Sequence, residues 1–202
     1  QQLTLNILAG IGIADIMDVG FDVPLILLQD GDNTRNVAAT LEEQAFGLGD
    51  IRLVPKFQLF NSHDPDDSPG GIAIAFLVNA FIPTGNSDRF QGEGFRMEPR
   101  LAFDVITRGG TRIGLNAGYM IRQPSTLQNV EVDDVLTYGL GLDIASSEVL
   151  HVLFEVGGEA ALLAEEFDRE EIPLEALAGL KIWPVEELLI EFGGGIGLME
   201  GF

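Results

Sequence analysis

The stretch "GGIAIAFLVNAFIPTGN" spans Gly70 to Asn86, and the placement of its two rows of side chains decides the fold. Ile72, Ile74, Phe76, Val78, Ala80 and Ile82 fall on one parity, and Ala73, Ala75, Leu77 and Asn79 on the other. The run stops at Pro83-Thr84-Gly85. Successive side chains of a strand point to opposite faces, so the stretch reads as a strand with one oily face and one face of small residues around a single amide. Its β-branched and aromatic content favours strand over helix.

Working outward, the same period of two recurs. Leu3, Leu5, Ile7, Ala9, Ile11 and Ile13 oppose Thr4, Asn6, Gly10 and Gly12, and Met17, Val19, Phe21 and Val23 oppose Asp18, Gly20 and Asp22. Ile51, Leu53, Phe57 and Leu59 oppose Arg52, Lys56 and Gln58. Phe95, Met97, Leu101, Phe103 and Val105 oppose Arg96, Glu98, Arg100 and Asp104, and Ile113, Leu115, Ala117, Tyr119 and Ile121 oppose Arg112, Gly114, Asn116, Gly118 and Arg122. Four further strands start near Leu136, Leu150, Leu174 and Leu188. Most of the ten segments run to about ten to fourteen residues, enough for a tilted strand to cross a bilayer.

Connections alternate short and long, the rhythm of outer-membrane barrels with tight periplasmic turns and extended outer loops. Short ones lie near Ala14–Ile16, at "TRGGT" (Thr107 to Thr111), "ASSE" (Ala145 to Glu148) and "PVEE" (Pro184 to Glu187). Longer ones are Gln29 to Gly49, Thr84 to Gly94, Gln123 to Asp133 and Ala164 to Glu171, and "NSHDPDDSPGG" (Asn61 to Gly71) exceeds its place in the pattern. Within the longest, "AATLEEQAFG" has the composition of one or two helical turns. Pro24, Pro55 and Pro99 fall inside expected strands and are read as bulges or strand ends.

Composition narrows the function classes. The 202 residues carry 11 Lys+Arg against 32 Asp+Glu, a formal charge of −21 that repels nucleic acid. At 46% hydrophobic the chain is far from the composition of acidic disorder. It has no cysteine, which removes thiolate metal sites and thiol nucleophiles. No apolar run is long enough for a transmembrane helix. Its opening Gln-Gln lacks the charged and apolar regions of a secretory signal, so such a signal is expected to have been removed or to lie outside this sequence. The 25 glycines, spread through apolar segments, argue against long helices.

The polar parity separates a soluble barrel, apolar inside, from a membrane barrel, apolar outside. On a soluble barrel it would meet water and read as Lys, Glu, Thr and Gln. Here it is Gly, Ala, Asn and opposite charges, the content of a crowded interior. The expected lumen-lining residues are Asp18, Asp22, Arg52, Lys56, Arg96, Glu98, Arg100, Asp104, Arg112, Asn116, Arg122 and Glu155. Lys181, Asp143, Glu159, Glu175 and Glu191 join the same row and leave it nearly balanced. Ile72, Ile74, Phe76, Val78, Leu101, Phe103 and Leu115 are the expected lipid-facing row. No charge interrupts that row, where a base would cost about 2–4 kcal/mol at the bilayer midplane.

Residues 1–202 are therefore expected to form one all-β domain, an antiparallel up-and-down transmembrane β-barrel with about ten strands. Short periplasmic turns would place both ends of ten strands outside the cell, whereas bacterial barrels begin and end in the periplasm. The chain is thus expected to be part of a barrel of twelve or more strands. The alternative is a soluble β-barrel holding an apolar ligand.

"GDIRLVPKFQLF", "FIPTGN", "GEGFRMEPRLAFDV" and "IPLEALAGLKIWP" resemble in texture the barrel portion of OmpA-family outer-membrane proteins of myxobacterial type. That resemblance implies a Gram-negative outer membrane and a peptidoglycan link, the latter only through a domain absent from this sequence.

The bases Arg96, Arg100, Arg112 and Arg122 set against Asp18, Asp22, Glu98 and Asp104 suggest either a charge-screening constriction or an ion-paired plug. Enzymatic activity is not expected: His63 lies in an acidic loop, His151 on the polar row, and neither has a nucleophile placed beside it in sequence. "EFGGGIG" lacks the Lys-Ser/Thr and helix of a phosphate loop and reads as a strand. The acidic loops "QDGDN" and "HDPDDS" offer oxygen ligands for Ca²⁺ or Mg²⁺, which could bridge to lipopolysaccharide phosphates, but lack the EF-hand pattern, so no resident metal or other cofactor is assigned. The expected function is a passive small-solute pore or a structural barrel, with the bilayer and lipopolysaccharide as partners.

Overall fold

The computed structural model describes residues 2–29, 46–64, 70–86, 91–92, 94–123, 125–127, 130–132, 134–161, 173–185 and 188–198. The strands are β1 (Gln2–Ile13), β2 (Met17–Gln29), β3 (Gly47–Leu48), β4 (Ile51–Asn61), β5 (Gly71–Ile82), β6 (Arg96–Ile106), β7 (Arg112–Arg122), β8 (Ser125–Leu127), β9 (Val130–Val132), β10 (Val135–Ala145), β11 (Leu150–Ala161), β12 (Leu174–Val185) and β13 (Leu188–Gly197). The one helical element among the described residues is a 3-10 turn at Ala14–Ile16. None of these elements is a helix able to cross a membrane, a criterion that does not bear on strands.

The sheet has 11 strands in the order β1-β2-β4-β5-β6-β7-β10-β11-β12-β13, with β3 added beside β2. Its ten-strand path follows the chain, as up-and-down topology requires and as the alternation in the sequence led us to expect. β8 and β9 form a separate hairpin in the connection after β7. The expected helical turns in "AATLEEQAFG" lie, but for Phe46 and Gly47, outside the described residues.

The chain divides into two compact units. The first comprises Gln1–Phe57, Leu77–Glu98 and Ile121–Asp133, and the second Gln58–Phe76, Pro99–Met120 and Asp134–Phe202. In the first, β1 and β2 pair from Ile13↔Met17 to Gln2↔Gln29, and β2 continues against β4 from Met17↔Phe57 to Asp22↔Arg52. In the second, β10 pairs with β7 and β11, and β12 with β11 and β13.

Of the bulges or strand ends expected at the prolines, neither is seen: all three lie inside strands. Pro24 pairs in register with Asn6, and Pro55 with Val19. Pro24 sits where the β4 ladder has ended at Asp22 and the β3 pairing has not begun until Leu25. Its missing N–H therefore leaves no gap in a ladder, and its carbonyl accepts from Gly49 N–H at 2.8 Å. Pro99 lies inside the uninterrupted β6. The "TRGGT" hairpin closes as expected: Thr107 N–H donates to Thr111 O at 2.8 Å, and Gly110 takes φ +82°, a left-handed conformation that glycine adopts without strain.

Burial is inverted relative to a water-soluble protein. Glu98 is 3% exposed, whereas Leu101, three residues along the same strand, is 55% exposed. Asp50, Asn79, Gln91 and Thr137 are buried, while Leu5, Ile11, Phe103, Leu115, Phe154, Phe192 and Ile196 are exposed. Exposing a large apolar side chain to water forgoes about 1.5–3 kcal/mol each.

Candidate functional site

The polar rows of the two units carry different chemistry. In the first unit a recess of about 390 Å³ is lined by Thr4, Asp22, Pro24, Ile26, Gly49, Asp50, Arg52, Phe81, Gln91, Gly92 and Arg96. Register places Asp22 directly across from Arg52, and Arg52 Nη2 reaches Asp22 Oδ2 at 2.9 Å. Asp50 is a buried anchor: its carboxylate accepts from Gly85 N–H at 3.1 Å and lies 3.5 Å from Arg96 Nη2. The Arg96 guanidinium also covers the Phe81 ring, 4.4 Å from its centroid. Beside this, Thr84 Oγ1 donates to Gly49 O at 2.7 Å and accepts from Ile51 N–H at 3.0 Å. "GDIRL" and "FIPTGN" are thereby clipped together, and the close fit is visible at Gly92, where a Cβ would stand 2.4 Å from Asp50 Oδ1. Buried Glu98 accepts from Asn79 Nδ2 at 2.7 Å, which accounts for the one amide in the opening stretch.

In the second unit a cavity of about 480 Å³ is lined by β6, β7, β10, β11 and β12; Arg100, Asp104, Asn116 and Thr137 of the polar row contribute to it, and so do Leu115, Leu140, Val156 and Leu177 of the apolar row. Arg100 donates to Asn116 Oδ1 at 2.9 Å and to Thr137 Oγ1 at 3.2 Å. Glycines make room for these side chains. A Cβ at Gly139 would lie 2.9 Å from the Asn116 amide, and one at Gly114 2.7 Å from Asp104 Oδ1. Asp104, Glu155, Glu159 and Glu175 line the same cavity, and among the described residues their carboxylates form no ion pair. Nearer the β10–β11 turn, Asp143 faces His151 Nδ1 at 2.6 Å and accepts from Lys181 Nζ at 3.4 Å, and His151 meets Trp183 edge-on at 4.8 Å. His151 is thus a partnered, half-buried member of the polar row.

The expected lumen residues fall in both units. Asp18, Asp22, Arg52, Lys56, Arg96, Glu98 and Arg122 belong to the first, and Arg100, Asp104, Arg112, Asn116 and Glu155 to the second. Asp22, Arg52, Arg96, Glu98, Arg100, Asp104, Asn116 and Arg122 are buried or half-buried, whereas Asp18, Lys56, Arg112 and Glu155 are exposed. Of the expected lipid-facing row, Ile72, Leu101, Phe103 and Leu115 are exposed and Ile74, Phe76 and Val78 half-buried. The pairing differs from the array of bases against acids read from the sequence. Arg96 lies against Asp50, which that reading did not include, and the bonds of Arg100 include two to neutral acceptors, Asn116 and Thr137.

Phe81, Thr84, Gln91, Thr137 and Trp183 were also missed. Thr137 stands on the polar parity of its strand and could have been found there. Phe81, an aromatic beside Asn79's parity, gave no polar signal at all. The loops proposed as Ca²⁺ or Mg²⁺ ligands lie mostly outside the described residues, and among the described residues no group of three or more His, Asp or Glu converges as a metal site.

Residues 6–150, most of the chain, match the family described as "Putative MetA-pathway of phenol degradation". The chain belongs to this family. The match is to a family other than OmpA, whose texture the strand sequences resemble, and no finding supports the OmpA assignment. The family and the all-β sheet are together consistent with an outer-membrane β-barrel type of protein. No curated protein matches the chain.

Proposed function

We propose that this sheet forms the wall of a Gram-negative outer-membrane β-barrel that passes small solutes along its polar row without catalysing a reaction. The observation that supports this reading is the burial of polar side chains beside exposed apolar ones: Glu98 and Thr137 are buried while Leu101 and Phe103 are exposed. Hydrocarbon is the environment in which that arrangement has no hydrophobic cost. The family's description supports phenol-type compounds as the first solutes to test. A path whose wall carries both signs of charge suits uncharged molecules, which need no counter-charge from the wall.

The chain has no cysteine, so single substitutions report cleanly. In proteoliposomes of the full-length protein, Leu101→Cys should resist a membrane-impermeant maleimide and Asn116→Cys should react. The reverse pattern, with a monodisperse folded species in plain buffer, would establish the soluble barrel instead. Planar-bilayer conductance, and swelling of the same liposomes in phenol against an impermeant sugar, then separate a solute path from a purely structural barrel.

A further inference from the structure

We propose that the recess of the first unit is a binding site for a small, uncharged, hydroxyl-bearing aromatic molecule, with Phe81 and Arg52 as its main contacts. This rests on the solute-passing reading above and names the place in the chain where the solute is held. Three features of the recess converge on that chemistry.

The first is charge. The ionised side chains lining the recess are Asp22, Asp50, Arg52 and Arg96, two of each sign. They are matched within the recess as Arg52–Asp22 and Arg96–Asp50. A charged ligand would bring in a charge with no counter-ion left to meet it, and an unmatched charge in a partly desolvated site is costly. A neutral ligand leaves both pairs intact.

The second is shape. Phe81, Pro24 and Ile26 supply apolar surface, and Arg96 already lies against the Phe81 ring at 4.4 Å. Flat rings pack on such ring and guanidinium surfaces.

The third is polarity. The Arg52 side chain is 37% exposed while its Nη2 holds Asp22, so its guanidinium has further donors within reach of a guest. A hydroxyl oxygen accepts from such a donor. The recess is held open by backbone and buried contacts rather than by long mobile side chains: Asp50 on Gly85 N–H, Thr84 on Gly49 and Ile51, and Gly49 N–H on Pro24 O. It is thus formed before a ligand arrives, as small-molecule sites usually are.

The test is phenol binding to the full-length protein in detergent, measured by equilibrium dialysis at neutral pH, with benzoate and the quaternary N,N,N-trimethylanilinium as charged analogues. Phenol should bind more tightly than either. Phe81→Leu keeps apolar bulk but removes the ring, and should weaken phenol about five- to tenfold. Arg52→Gln should weaken phenol as well, whereas Asn116→Ala in the other unit should not. Folding of each variant is checked by its heat-modifiable mobility on a gel. Equal phenol binding by folded wild type and folded Phe81→Leu would overturn the proposal, as would benzoate or trimethylanilinium binding as tightly as phenol. This assay needs no conductance. A protein that binds phenol here but carries no solute keeps the site and loses the path, and one that conducts without binding phenol keeps the path and loses the site.

Discussion

Asp50 shows how one side chain sets the geometry around it. Its carboxylate, with a side chain 3% exposed, ties the backbone of Gly85 to the guanidinium of Arg96. Removing one partner of a buried charge pair strands the other, so Asp50→Ala should cost about 3 kcal/mol in urea unfolding from detergent micelles. Asp50→Asn keeps an oxygen for Gly85 N–H and should cost distinctly less. Asn79 and Glu98 make the opposite comparison. The 2.7 Å bond between them is made by an amide donor, so Glu98→Gln retains an acceptor, while Asn79→Leu leaves a buried carboxylate short of one donor, a loss of about 1–3 kcal/mol.

Glycine placement governs the behaviour of whole strands. On β7 and β10 the polar row alternates long and absent side chains so that each fills its neighbour's space: Asn116 lies over Gly139, and Asp104 lies over Gly114. Gly139→Val would drive Asn116 off the wall and take an acceptor from Arg100. It should lower stability by about 1–3 kcal/mol, read from the unfolding midpoint. Gly194 on β13 has nothing within 4 Å of an added Cβ. Gly194→Ala should be neutral or stabilise by up to about 1 kcal/mol, because it removes only chain entropy from the unfolded state. The turn between β1 and β2 has a matching test, since Ala14 takes φ 55°, where a Cβ is unfavourable. Ala14→Gly should stabilise that hairpin by about 1 kcal/mol, visible as slower amide exchange around Ile13 and Met17.

At the scale of the molecule, the alternation in the sequence was enough to read the ten-strand path, because period two is a property of the backbone and survives whatever the side chains touch. The same alternation separated buried Glu98 from exposed Leu101, but Asp18, Lys56, Arg112 and Glu155 of the polar row are exposed. Pairing within the polar row was less legible. Counting bases against acids made it look neutral throughout, whereas pairing depends on register and on connections such as "FIPTGN" that bring Asp50 to Arg96 across a long sequence separation. No periodicity encodes such a contact. The charges are distributed unevenly: the recess of the first unit holds two acids and two bases, whereas the cavity of the second is lined by Asp104, Glu155, Glu159 and Glu175 with Arg100. In bilayers under a KCl gradient the reversal potential should therefore favour K⁺ modestly, and Glu155→Gln with Glu175→Gln should move it toward zero. Leu101→Arg, on the apolar row, should instead impair insertion, by about 2–4 kcal/mol in folding into vesicles.

The edge-on contact between His151 and Trp183 has a practical corollary. Trp183 is the sole indole in the chain, so intrinsic emission from this protein is a local signal, originating beside the Asp143 carboxylate. A stopped-flow fluorescence trace taken during refolding would record the arrival of that corner alone. Comparing it with the backbone signal from circular dichroism would time β11–β12 docking against formation of the remaining strands, with no dye attached.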